Sequence, residues 1–193
     1  PIMVFLFVTS DSLIRVLLTD KWVPSVIFLQ LLCLIGLTFP LSGVNLNILN
    51  VKGRSDIFFR LEIVKKILIV ISIIITLPLG IIPLLIGQVI FSFIAYFLNI
   101  YFSGKLINFS MIDQLKDIIP YIVLSLITGI IISTFNFLIG EKYFIKLMIQ
   151  IISGSVFYVL SAYYLRLEAL NETINLLKLY KLKINNIIKN GEQ

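Results

Sequence analysis

The sequence predicts an all-α fold: a polytopic bundle of about six transmembrane helices. Three observations carry that prediction. First, 59% of the 193 residues are apolar, 13% are charged, and the mean hydropathy is +1.06. A soluble domain of this size cannot bury so much apolar surface. Second, the apolar runs are continuous and helix-length, whereas a β-barrel would show alternating segments of about ten residues. Third, the 38 residues from Ile67 to Gly104 contain no charge at all. As one helix they would be about 57 Å long, against roughly 30 Å of bilayer hydrocarbon. They must therefore cross twice. The turn falls in TLPLGIIP, at Pro78, Gly80 and Pro83.

The spans follow in order as approximately 1–18, 22–49, 61–79, 83–103, 118–140 and 143–165. The first starts at Pro1, and its apolar residues begin at once, so the chain is read as a piece that begins inside a membrane helix. Thr19-Asp20-Lys21 forms a tight loop, followed by Trp22 as an interface anchor and Pro24 at a helix start. Pro40 interrupts the hydrogen bonding of the second span and predicts a kink near Leu37 to Pro40. The third span starts near Leu61, with Lys65 and Lys66 snorkelling at its end. The fifth has Pro120 in its first turn. Residues 1–166 thus make the bundle, and residues 167–193 make a basic tail. In that tail Ile174, Leu177, Tyr180 and Ile184 share one face while Lys178, Lys181 and Lys189 lie elsewhere. This predicts an amphipathic helix over Asn171–Lys189, lying on the inner leaflet, with a helix for a calmodulin-like partner and an ordinary disordered tail as the alternatives.

Charge sets the orientation. Lys52, Arg54, Arg60, Lys65, Lys66, Lys105, Lys116 and the basic residues of the tail fall on one side, twelve Lys and Arg in all. Arg15, Lys21, Lys142 and Lys146 make four on the other. The richer side is the cytoplasmic one, which places the C-terminus in the cytoplasm. The same pattern accounts for the net charge of +6 without nucleic acid as a partner.

Small and polar residues recur at helical spacing: Cys33, Gly36, Pro40, Gly43 and Asn47; Gln88, Ser92, Tyr96 and Asn99; Ser125, Gly129, Ser133 and Asn136; Gln150, Gly154 and Ser161. Such stripes pack membrane helices together. Some of their polar groups could instead line a solvated path, and Asn45, Asn47 and Asn50 are candidates for that. Within a span, ionisable residues are costly. Asp11 and Arg15 lie four apart on one helical face, which predicts an intramembrane ion pair.

Much chemistry is absent from the sequence. There is no His, and Cys33 stands alone, so no metal site and no cofactor is expected. No nucleotide-binding or Ser-His signature occurs, so no enzyme activity and no catalytic residue is expected. Gly53-Arg54-Ser55-Asp56 can be read as a positive turn between two membrane helices. It can also be read as a loop in which Arg54 and Lys52 contact an anionic lipid head group or a pyrophosphate.

The stretch Ile14–Lys66 strongly resembles bacterial polysaccharide flippases of the Wzx type, within the multidrug/oligosaccharidyl-lipid/polysaccharide exporter superfamily. The elements that carry the resemblance are Lys21-Trp22-x-Pro24, Gln30-Leu31-Leu32, Pro40 with Asn45-Leu46-Asn47, and Gly53-Arg54-Ser55-Asp56 leading to Leu61-Glu62 and Lys65-Lys66. Asp113 to Pro120 is similar to the family's linker before its penultimate pair of helices. The resemblance extends to about Leu165.

The resemblance implies a two-bundle transporter, of which this chain is the C-terminal lobe, and a separate N-terminal bundle as its partner. It implies flipping of undecaprenyl-diphosphate-linked oligosaccharide units across the bacterial inner membrane, for O-antigen, capsule or exopolysaccharide export. Membrane lipids are the other partners. Amides suit a sugar path, which makes Asn45, Asn47, Gln88 and Asn99 the path candidates. Asn45 and Asn47 are expected to face the cavity between the bundles. Cations suited to the diphosphate are expected mostly from the other bundle. The competing functions are a drug or cation exporter of the same superfamily, an envelope-glycan polymerase or acyltransferase, and a non-transporting truncated remnant.

Overall fold

The computed structural model describes residues 1–140 and 142–168, together with the isolated positions 172, 176 and 179. The amphipathic helix expected over Asn171–Lys189 lies outside the described residues but for those positions. Among the described residues the fold is all-helical. It comprises α1 (Ile2–Leu18), α2 (Val26–Val51), α3 (Ser55–Thr76), α4 (Ile81–Ile107), α5 (Met111–Leu138) and α6 (Tyr143–Tyr164). Among the described residues, four helical stretches are long and apolar enough to cross a membrane: Asp20–Val51, Ile81–Ile107, Met111–Asn136 and Tyr143–Tyr164. The other two helices fall short, α1 because it has 17 residues and α3 because Arg60, Glu62, Lys65 and Lys66 lie within it.

Local chemistry explains each break. Thr19 takes a positive φ of 77°, and a 3-10 turn over Asp20–Ser25, containing Trp22 and Pro24, leads into α2. The helix α2 then runs unbroken through Pro40. Gly53 at φ 68° closes the turn before α3, in the left-handed region that glycine tolerates best. The expected hairpin is present: a 3-10 turn over Leu77–Leu79 and Gly80 at φ 109° reverse the chain, and Pro83 sits in the first turn of α4. Asn108 ends α4 in the left-handed conformation.

Two helix starts differ most from the sequence reading. Helix α5 begins at Met111, because Ser110 caps it: its Oγ accepts from the Asp113 amide at 3.2 Å and donates to Asp113 Oδ2 at 2.6 Å. Pro120 is therefore deep in α5 rather than in its first turn, and Asp113 to Pro120 is helix rather than linker. Helix α3 begins at Ser55, six residues before the expected start, so Lys65 and Lys66 lie well inside it.

The helices pack in a continuous bundle, with α1 and α2 at its centre. Helix α2 makes its most extensive contact with α4, and α3 lies along α4 and the edge of α2. Helices α1, α5 and α6 pack on one another, and α1 lies against α2 more extensively than against either α5 or α6. The interior is more polar than the exterior. Thr9, Ser10, Asn45, Asn99, Ser103, Thr128 and Gln150 are buried, while Phe39, Val51, Ile74, Ile130 and Leu138 are among many large apolar side chains left exposed. That inversion is what a lipid solvent demands. Many of the buried hydroxyls bond a carbonyl one turn back, as Thr9 does to Phe5 at 2.8 Å and Thr128 to Leu124 at 2.8 Å.

Candidate functional site, a cavity between three helices

The early start of α3 sets the site. From Ser55 to Lys65 the helix rises about 15 Å, so its charges enter the bundle. Glu62, Lys65, Lys66 and Ile69 recur at i, i+3, i+4 and i+7, which puts them on one face. That face meets Thr38, Ser42 and Leu46 of α2 and Gln88, Ser92 and Asn99 of α4 around a cavity of about 420 Å³.

Lys65 is 8% exposed. Its ammonium is ion-paired with Glu62 and donates to Asn99 Oδ1 at 3.3 Å. A buried ammonium needs such partners, because desolvation of an unpaired charge is prohibitive. Asn99 is almost completely buried, so the amide that steadies Lys65 is itself fixed. Lys66 lines the same cavity, is exposed, and has no carboxylate partner among the described residues. The Gln88 amide and the Ser42 hydroxyl also line it, half-buried, and have no hydrogen-bond partner among the described residues. The cavity thus offers one paired and one unpaired ammonium, amides and hydroxyls.

The structure divides the residues singled out from sequence. Gln88 and Asn99 both line this cavity, eleven residues apart along α4. Asn45 and Asn47 do not, and they cannot share any direction, since two residues along a helix are about 200° apart around it. Asn45 is buried in the contact of α2 with α4. Its Nδ2 donates to the Leu41 carbonyl at 3.0 Å, and its Oδ1 accepts from Ser103 Oγ at 2.5 Å. Both ends of that amide are engaged in helix packing. Asn47 is exposed and shares a separate apolar groove of about 320 Å³ with Lys52 and Ile107.

Arg54 holds Asp56 in a two-pronged contact, Nε to Oδ1 at 3.0 Å and Nη2 to Oδ2 at 3.1 Å. The guanidinium keeps the Asp56 carboxyl below its usual range, and the carboxylate raises Arg54 in turn. An incoming anion would have to displace Asp56 to use that fork. Asp11 and Arg15 pair as expected, at 3.0 Å. Arg15 also reaches Asp20 at 2.5 Å and lies 4.8 Å from the centre of the Tyr143 ring. Lys146 Nζ stands 5.2 Å from the same ring. This cluster ties the end of α1 to the start of α6, which is a structural clamp.

Glu62, Lys65, Lys66 and Ser42 were not legible as site residues. The available signal was the i, i+3, i+4 spacing of Glu62, Lys65 and Lys66, hidden by placing the start of the helix at Leu61. Comparison with family models, with curated proteins and with solved structures gave no match to this chain.

Proposed function

We propose that this chain is the C-terminal lobe of a glycan-lipid flippase, one that moves undecaprenyl-diphosphate-linked oligosaccharide units from the inner to the outer leaflet of a bacterial inner membrane. The observation that carries the reading is the α2–α3–α4 cavity. An apolar bundle has little reason to hold two lysines, a glutamate and several amides midway along its helices unless a polar cargo passes them. Amides and hydroxyls suit sugars, ammonium groups suit phosphates, and the apolar surface around them suits a lipid tail left in the bilayer. The resemblance of the stretch from Gly53-Arg54-Ser55-Asp56 through Lys66 to the Wzx-type exporters supports the same reading. Within it all six helices cross the membrane, α3 shielding its charges in the cavity, and the side rich in Lys and Arg is cytoplasmic.

The test is transport in vesicles holding the full protein and a fluorescent lipid-linked oligosaccharide, with accessibility of the glycan to an external lectin as the readout. Outward movement that stops when Lys65 and Lys66 are replaced by Gln supports the reading. A second reading, export of drugs or cations, is favoured by one observation: Glu62 brings a carboxylate into the cavity. Dye efflux that depends on Glu62, without glycan movement, would select it.

A further inference from the structure

We propose that the α2–α3–α4 cavity is a phosphate-binding site in this lobe's own right, with Lys66 as the standing contact and Lys65 as a second contact masked by Glu62. The proposal deepens the flippase reading by naming what this lobe holds, and rests on that reading only for the source of the anion. It also reverses the expectation that the cations come from the other bundle.

The charge balance selects the ligand. From α3 the cavity receives Lys65, Lys66 and Glu62; α2 and α4 add only hydroxyl, amide and apolar side chains. One positive charge is left over, which repels a metal cation and attracts an anion. The contacts select the type of anion. Lys66 has no carboxylate partner among the described residues, and Gln88 and Ser42 carry polar atoms not otherwise engaged. Ammonium, hydroxyl and amide groups distributed along the cavity suit an anion with several acceptor oxygens, which is what phosphates and diphosphates are. At about 420 Å³ the cavity is of ligand size, with room for a phosphate and part of what it is attached to.

Lys65 adds a switch in partners. Its ammonium sits between Glu62 on its own helix and Asn99 on α4. A phosphate oxygen entering beside Lys66 can take the place of Glu62 on Lys65, while Asn99 continues to hold the ammonium. No covalent bond changes; one ion pair is exchanged for another. Glu62 thus competes with the ligand, and that gives the proposal its unusual sign.

The experiment is equilibrium binding of radiolabelled inorganic pyrophosphate to the full protein in phosphatidylcholine nanodiscs. Lys66→Gln removes a charge-assisted contact and should weaken binding roughly tenfold or more. Glu62→Gln frees Lys65 and should tighten binding. A packing role for these residues predicts no such opposition. If Lys66→Gln and Glu62→Gln both weaken binding, or neither changes it, the proposal is wrong. As a readout that leaves all three charges in place, Ser42→Cys in a Cys33→Ser background should react more slowly with a thiol reagent when pyrophosphate is present; an unchanged rate also counts against the site.

Phosphatidic acid added to the discs separates the sources. Displacement of pyrophosphate means that lipid head groups reach the site, and retention means that it takes soluble phosphates; either fits a phosphate site. Binding with the expected opposition but no glycan flipping would leave the site standing and remove the flippase reading. Flipping indifferent to both substitutions, with no pyrophosphate bound, would do the reverse.

Discussion

Gly154 in α6 sits where three helices meet, and one added methyl there tests the packing of the whole α1–α5–α6 group. A Cβ on Gly154 would fall 2.4 Å from Ile132 Cδ1 of α5, 2.4 Å from Phe5 Cε2 and 2.5 Å from Phe5 Cζ of α1. Carbon atoms settle at about 3.5–4.0 Å, so two neighbours on different helices must each retreat by roughly 1 Å. Ile132 is fully buried and has little room to do so. Overpacking of this kind costs about 1–3 kcal/mol, set against the gain of about 1 kcal/mol that Ala brings over Gly inside a helix. Gly43 in α2 is the control, because a Cβ there meets nothing within 4 Å. Gly43→Ala should therefore gain about 1 kcal/mol, while Gly154→Ala should fall below it by about 1–3 kcal/mol. Reversible unfolding in mixed micelles, titrated with a denaturing detergent, measures both. If Gly154→Ala proves as stable as Gly43→Ala, then α6 does not lie against Phe5 and Ile132 as described.

Two further predictions concern polar contacts. Asn45→Ala and Ser103→Ala should not be additive: a double-mutant cycle on unfolding should return a coupling of about 0.5–2 kcal/mol for the hydrogen bond between α2 and α4, and a coupling near zero would remove that bond. Asp56 should titrate below the usual carboxylate range, and Arg54→Gln should return it to that range, as read by NMR of the labelled carboxyl. Because the folded pKa is the lower one, the contribution of the pair is present above the unfolded value and fades as pH falls through the folded one. An Asp56 that titrates normally in the native protein would rule out the two-pronged contact.

How much could be read from the sequence depended on whether a signal was local. The α3–α4 hairpin was legible because an uncharged run too long for one crossing contains its own turn residues. The Asp11–Arg15 pair was legible because four residues make one helical turn. The start of α5 was also written locally, as Ser110 followed three residues later by Asp113, but Pro120 offers a competing helix-start signal further along. Lys65 was different. Its burial depends on α3 beginning at Ser55 and on Asn99, which is 34 residues further along the chain. No local pattern holds that information. Asn45 and Asn47 show the reverse error, since closeness in sequence suggested one shared surface where the helix sends them to opposite sides.

The Glu62–Lys65 pair costs energy that something must offset. Taking two charges out of water is expensive, and their attraction repays it only when the geometry is very good. Lys65 has Asn99 as a further partner, but Glu62 is held by Lys65 alone among the described residues. A pair kept for stability should have both ends secured. A pair kept for exchange should have one end easily released, which is the arrangement here. The two roles predict different outcomes for a double substitution. Replacing both by Met at once removes both desolvation penalties, so the protein should unfold at or above the native midpoint, yet pyrophosphate binding should weaken, because only Lys66 is left to hold it. If Glu62→Met with Lys65→Met instead destabilises the fold by several kcal/mol, on the scale of breaking a buried pair, the charges are structural. The cavity would then lose the main reason to regard it as a site for cargo.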